Sequence, residues 1–246
     1  MPAPAAAAPA PGAPRLITID LDDTLWPCAP AIQAAEAALI AWLAEQAPRL
    51  IERFDAAALR AHRQALMAAR PEIAHDVTAV RLLSLRALLA EHRYDVALAD
   101  AAMDHFRRHR NQVEPYADAA PVLARLRERH CLIAVTNGNA ELAETPLGNA
   151  FHRALTAVEA GAAKPDPAIF RLAMDWAGVG PDATLHVGDD PVRDVHAARG
   201  LGIAAVWVNR TDQAWPEDLP PPLLEVRDLH GLVRWLDAGP GAADAL

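Results

Sequence analysis

Four short segments hold the side chains able to do chemistry in this chain. They are Asp20-Leu21-Asp22-Asp23-Thr24, Thr136-Asn137-Gly138, Lys164-Pro165, and Gly188-Asp189-Asp190 continuing to Asp194. A carboxylate pair two residues apart, Asp20 and Asp22, offers one group to attack and one to move a proton. Carboxylates also supply the hard oxygen ligands that a divalent cation takes. The Thr136 hydroxyl, the Asn137 backbone N–H and the Lys164 ammonium are groups that stabilise negative charge as it builds up. Taken singly, each segment has a plainer reading. Asp23-Thr24 reads as a helix cap, Asn137-Gly138 as a turn, Lys164-Pro165-Asp166-Pro167 as a loop into a proline-started helix, and Gly188-Asp189-Asp190 as a turn with a cap. Their joint occurrence at the ends of successive strands favours the chemical reading.

The elements that must position them follow from periodicity. Arg15–Leu21 is a short β-branched apolar run ending in carboxylates, which predicts a buried strand delivering acids at its carboxyl end. From about Ala29 to Asn111, apolar residues recur at helical spacing, as in Ala38-Leu39, Trp42-Leu43 and Val80, Leu83, Leu88, which predicts an insert of three or four helices. Trp26-Pro27 and Glu114-Pro115 bracket it as hinges. Beyond Pro115 helices and strands alternate. Helices are expected over Ala117–Arg129, after Thr136, and over Pro167–Ala177, Val192–Leu201 and Asp228–Leu236. Strands are expected over Cys131–Thr136, Ala154–Ala157, Thr184–Val187 and Ile203–Val208. The alternation predicts an α/β fold, a Rossmann-like doubly wound parallel sheet covered on both faces, with an inserted all-α cap domain. The domain reading is a core over 15–27 and 114–238, a helical cap over 28–113, an Ala/Pro leader over 1–14 and a tail over 239–246.

Bulk properties narrow the function. The 246 residues, 52% hydrophobic, suffice for a domain plus a large insertion. A formal net charge of −9 has the wrong sign for gripping a nucleic-acid backbone, so no nucleic-acid partner is expected. Arg107-Arg108-His109-Arg110 accordingly reads as a solvated helix face. Cys28 and Cys131 stand far apart, with no cysteine or histidine cluster for a structural zinc, which suits the cytoplasm. No apolar run approaches the ~18 residues of a membrane span, so no membrane partner is expected. The assembly expected is a monomer or small homo-oligomer.

In order and in strand context, the four segments resemble the signature of the haloacid dehalogenase superfamily, with the helical insert where caps of that superfamily occur. The resemblance covers the chain from about Arg15 and implies a Mg2+-dependent phosphatase of small phosphorylated molecules. Hydrolysis of a phosphate monoester is among the slowest uncatalysed reactions, so binding alone cannot supply the rate. Asp20 is then the nucleophile, forming an aspartyl-phosphate, and Asp22 the acid and base for both half-reactions. Thr136 and Asn137 bind phosphoryl oxygens, and Lys164 adds fixed positive charge. The Asp20 carboxylate, the Asp22 backbone carbonyl and Asp189 hold Mg2+, letting one anion attack another. Asp190 and Asp194 are left to hold Lys164 or metal-bound water, with the two roles not divided between them.

The cap passage from Arg70 to Thr78, with Thr136–Ala140 and Leu185–Asp190, resembles a subgroup of bacterial phosphatases. These act on flavin mononucleotide and on 5-amino-6-(5-phospho-D-ribitylamino)uracil, in riboflavin synthesis. Arg70 and His75 are the cap candidates for substrate contact, against a plainer role in capping and ion pairs. Trp26 lines the pocket or belongs to the core. Two departures stand out: Ile19 replaces the Phe common before the nucleophile, and Ala74 replaces an aromatic residue, which loosens ring stacking. The alternatives are a phosphatase of other sugar phosphates or nucleotides, a phosphomutase, a metal-free dehalogenase, and a non-catalytic binding module. Asp22 and Asp189 argue against the dehalogenase, which needs neither.

Overall fold

A computed structural model describes residues 13–239. The leader and tail expected over 1–14 and 239–246 fall otherwise outside the described residues. At the leader's inner end, His130 Nδ1 donates to the Pro14 carbonyl at 2.7 Å. The chain opens with β1 (Leu16–Ile19). Then come α1 (Cys28–Gln46), a single turn α2 (Pro48–Ile51), α3 (Ala56–Ala69), α4 (Val77–Glu91) and α5 (Leu98–Arg110). The second half runs α6 (Ala119–Arg127), β2 (Cys131–Thr136), β3 (Arg153–Thr156), α7 (Ala157–Ala160), α8 (Ala168–Ala177), β4 (Thr184–Gly188), α9 (Ala197–Arg199), β5 (Ala204–Val208), β6 (Leu224–Val226) and α10 (Leu229–Ala238).

The strands form one sheet in the order β3-β2-β1-β4-β5-β6, and every pairing is parallel. β1 is buried along its whole length, as its continuous apolar run requires in a sheet covered on both faces. The chain builds outward from β1 to β2 and β3, then returns to β4 on the other side of β1. A crevice therefore opens at the carboxyl ends of β1 and β4, the topological switch point. One core packs Leu16, Ile133, Val135, Phe170 and Trp207 around these strands.

Two units are compact among the described residues. One takes the chain up to Pro27, Glu114–Gly138 and the chain from Pro146 onward; the other takes Cys28–Val113 and Asn139–Thr145. The helical unit closes over its own core, with Leu39, Leu43, Leu85, Leu89, Met103 and Phe106 buried. Two of its helices start on carboxylate caps: Asp55 accepts from Ala58 N and Asp76 from Ala79 N, both at 2.8 Å. No helix among the described residues is long and apolar enough to cross a membrane.

Several local expectations are corrected. No helix follows β2; a single turn at Leu142–Glu144 stands there instead. Thr145, extended ahead of Pro146, stops it. That stretch is tied into the helical unit by Asn139 Nδ2 donating to Thr78 Oγ1 at 3.2 Å and Glu141 N donating to Asn111 Oδ1 at 2.9 Å. The helix expected from Val192 begins as a π-helical turn, Pro191–His196, with Asp190 accepting from both Val192 N and Arg193 N. β6 was not expected, because three residues after a proline run carry too little alternation. Arg110 is buried, unlike the rest of its basic run.

One charge cluster, centred on the buried Glu36, organises the helical unit. Glu36 on α1 accepts from Arg60 and Arg63 of α3 at 3.0 and 2.5 Å and from Arg81 of α4 at 3.4 Å. Burial alone would push the Glu36 carboxyl up, but the Arg60 hydrogen bond and the charges of Arg63 and Arg81 outweigh it and hold the group below its ordinary value. A carboxyl lowered on folding stabilises the fold above its unfolded pKa, and that contribution is lost as pH falls through the folded value. Removing one partner of a buried pair costs about 3–5 kcal/mol. Glu36→Gln should therefore cost about 3 kcal/mol at neutral pH, the lower end because the amide keeps an acceptor. Urea unfolding checks this, and the deficit should shrink as pH drops below ~4, the range where free Glu protonates.

Candidate active site

Asp20 leaves β1 at its carboxyl end, where its N–H still donates to Val187 O of β4 at 2.9 Å. Its carboxylate meets the Lys164 ammonium at 2.5 Å. The same ammonium donates to Asp194 Oδ1 at 2.6 Å and to the Val135 carbonyl at 3.1 Å. Lys164, Asp20 and Asp194 are all buried, at 4%, 7% and 1% exposure. Asp189 follows β4, and oxygens of Asp20, Asp189 and Asp194 lie within 4.8 Å of one another. Three carboxylates thus face one ammonium.

The electrostatics record that imbalance. Burial holds the Asp20 carboxyl well above its ordinary value; Lys164 opposes this, while Asp194 and Asp189 add to it. Burial, then the charge of Asp194, pushes Asp189 up to about 7. Asp194 behaves oppositely: burial would raise it, but Lys164 and His186 together hold it far below the carboxylate range. Lys164 is raised despite burial, because Asp194 and Asp20 flank it. Asp194 has both oxygens engaged, Oδ1 by Lys164 and Oδ2 by the Asp190 N–H at 3.0 Å. Asp20 and Asp189 are then the carboxylates best placed to receive a cation. The donors are all hard oxygens and their charge is under-compensated, so the residues fit a divalent ion of the Mg2+ type.

The surrounding elements fix these groups closely. Thr24 Oγ1 donates to Asp189 Oδ1 at 2.9 Å, and Trp207 Nε1 to the Asp189 carbonyl at 2.7 Å. Asp23 sits in the left-handed region at φ 63°, which Asp tolerates better than most residues. The turn it makes lets Trp26 Nε1 donate to Asp22 Oδ1 at 2.8 Å. Trp26 is wholly buried, so it is a core residue that also orients Asp22. Thr136 Oγ1 accepts from Gly138 N at 2.9 Å, which leaves its hydroxyl proton to donate elsewhere. Asn137 spends its side chain on the Lys164 main chain, accepting from Lys164 N at 2.7 Å and donating to Lys164 O at 2.8 Å. The group it can still offer an anion is its backbone N–H. Gly188 has no substitute: a Cβ there would stand 2.4 Å from Asp194 Cγ.

The two acids left undivided by the sequence separate cleanly. Asp194 holds Lys164, and Asp190 caps the turn that carries Asp194. Arg70 and His75 belong to the helical unit, on the stretch between α3 and α4. The Arg70 guanidinium there is paired with Glu72 at 2.5 Å, in the open. From the sequence no chemical role is assigned to Thr24, Trp207, Gly188 or His186. Thr24 and Gly188 lie inside the motifs and were within reach; Trp207 and His186 look like ordinary strand residues.

Comparisons with known proteins place the chain in a family. Residues 14–202 match the family described as haloacid dehalogenase-like hydrolase. The chain is 33% identical over 215 residues to the 5-amino-6-(5-phospho-D-ribitylamino)uracil phosphatase YigB of Escherichia coli, covering 84% of this chain and 90% of that protein. It is 40% identical over 132 residues to a phosphoserine phosphatase of Thermus thermophilus, about half of each chain (51% and 52%). Among solved structures, a 2-haloacid dehalogenase from Pseudomonas syringae superposes with a TM-score of 0.85 at 38% identity, covering 91% of this chain and 98% of that one. With the family match spanning all four motifs and the Escherichia coli relative covering 84% of its length, the chain belongs to the haloacid dehalogenase-like hydrolases.

Proposed function

We propose that this chain is a Mg2+-dependent phosphomonoester hydrolase acting in the cytoplasm on a ribityl phosphate joined to a heterocycle. Flavin mononucleotide and 5-amino-6-(5-phospho-D-ribitylamino)uracil are the two candidates. The observation that carries the chemistry is Lys164 held between Asp20 and Asp194 beside Asp189, a basin of charge suited to a phosphoryl group with a cation. The substrate class rests on the likeness to YigB over most of both chains.

Asp20 attacks phosphorus, forming an O–P bond as the bond to the leaving oxygen breaks, and Asp22 gives that oxygen its proton. Water then attacks the aspartyl-phosphate, Asp22 takes its proton, and inorganic phosphate leaves with Asp20 restored. The Thr136 hydroxyl and the Asn137 N–H hold phosphoryl oxygens through both steps, and Lys164 stays charged where negative charge accumulates. Mg2+, held by Asp20, Asp189 and the Asp22 carbonyl, would neutralise charge between nucleophile and phosphate. Arg70 and His75 are the residues assigned to the rest of the substrate.

The test is phosphate release across a panel of phosphorylated metabolites that includes both candidates. Release should be fastest with one of them, fall on chelation and return when Mg2+ is restored. A sugar phosphate or nucleotide preferred over both sinks the substrate assignment; release indifferent to chelator sinks the chemistry. A second reading, displacement of halide from a 2-haloacid, is favoured by the name of the solved relative at 38% identity. Halide release from a chloroacid without metal, in the absence of phosphatase activity, selects it.

A further inference from the structure

His186 of β4 takes part in none of these steps. It is wholly buried beside Thr18, its register partner on β1, with the Phe170 ring packed edge-on at 4.8 Å. An aliphatic side chain would fill this place without polar atoms to satisfy. Burial keeps the imidazole below its ordinary pKa despite Asp194, so one ring nitrogen donates and the other accepts.

The two nitrogens face different groups. Nδ1 lies 2.9 Å from Thr18 Oγ1 and 3.1 Å from the Thr18 carbonyl oxygen. Nε2 lies 3.2 Å from Asp194 Oδ1, the oxygen that Lys164 also uses. Nε2 completes no straight hydrogen bond to a described residue, and the Asp194 carboxylate is the acceptor in front of it. A proton on Nδ1 would serve the neutral Thr18 carbonyl but turn the Nε2 lone pair toward a buried carboxylate. A proton on Nε2 serves the carboxylate, and the Thr18 hydroxyl then donates to Nδ1 at 2.9 Å, the nearer of its two acceptors, the other being the Leu185 carbonyl at 3.4 Å. The charged acceptor makes the stronger bond, so it decides the tautomer.

We propose that Thr18 and His186 form a positioning relay, Thr18 Oγ1–H to His186 Nδ1 and His186 Nε2–H to Asp194 Oδ1, which orients Asp194 and thereby holds Lys164 against Asp20. The relay links the middle of β1 to the nucleophile at its end through three side chains. Neither Thr18 nor His186 touches substrate, and their effect on turnover rests on the phosphatase reading.

The full chain is assayed with Mg2+ and p-nitrophenyl phosphate. His186→Leu removes the donor, and His186→Gln returns an N–H near the Nε2 position. Loss of such a partner should lower kcat of H186L about 10–100-fold with KM little changed, and H186Q should recover most of it. Thr18→Val should lower kcat on the order of tenfold and Thr18→Ser should not, and T18V should add little to H186L because both cut one chain. A folded H186L with parental kcat, or H186Q no better than H186L, overturns the relay. Should H186L fail to fold, T18V matching T18S overturns it. Independently of turnover, 15N NMR of labelled histidine reads the tautomer, assigned by the signal missing in H186Q: a proton on Nε2 supports the relay and a proton on Nδ1 overturns it. Failure of the phosphatase reading shows separately, as a parent protein with Mg2+ that releases no phosphate.

Discussion

Asp20→Asn should fold as the parent does and release no measurable phosphate. Loss of a catalytic nucleophile costs on the order of 10⁶-fold in kcat in a hydrolase, and nothing nearby can take its place. Asp189 is fixed by Thr24 and Trp207, and Asp194 has both oxygens engaged. The amide keeps the shape of the carboxylate, and Lys164 keeps Asp194 at 2.6 Å. Because burial and two neighbouring carboxylates make the charged form of Asp20 costly, the variant should melt no lower than the parent, in line with the usual trade between stability and activity. Phosphate release and a thermal melt, measured on one preparation, check both halves. Turnover that survives in a well-folded Asp20→Asn protein means that water, not Asp20, attacks phosphorus.

Asp22→Asn should lose about 10²–10⁴ in kcat, the range for removing a general acid-base group. The loss should depend on the substrate. An alkyl phosphate leaves as a strongly basic alkoxide that needs a proton, whereas p-nitrophenolate leaves readily without one. The first half-reaction of the variant should therefore suffer far more with the alkyl substrate. Asp22 is half-exposed, on the turn made by Asp23 and steadied by Trp26, so its replacement should leave the melting temperature nearly unchanged. Single-turnover phosphorylation with the two substrates measures the split. An equal loss with both would assign Asp22 a role other than proton transfer to the leaving group.

The two units answer to different forces, which is why these effects should separate from that of Glu36. The sheet unit positions charge by strand register: β1 and β4 are neighbours, so Asp20 and Asp189 emerge side by side. The helical unit is held by apolar packing and by Glu36 among its arginines. Glu36→Gln should lower stability with the chemistry intact, and Asp20→Asn should do the reverse.

Sequence by itself determined the elements whose causes are local. The apolar run before Asp20, the helical spacing from Ala29 to Asn111 and the later alternation of strands and helices all arise from neighbours within a few residues, so they could be read directly. So could the four chemical segments, because their residue types stand at strand ends. Only the tertiary structure decided what depends on which strands lie side by side. It gave Lys164 to Asp194 rather than Asp190, and set Thr24 and Trp207 on Asp189. It buried His186 between Thr18 and Asp194. It also withheld a helix after β2, where Pro146 and contacts with Thr78 and Asn111 outweighed local helical preference. The physical reason is the same throughout: a hydrogen bond between separate elements of the fold leaves no period or composition in the chain, since its energy depends on where the fold brings the partners.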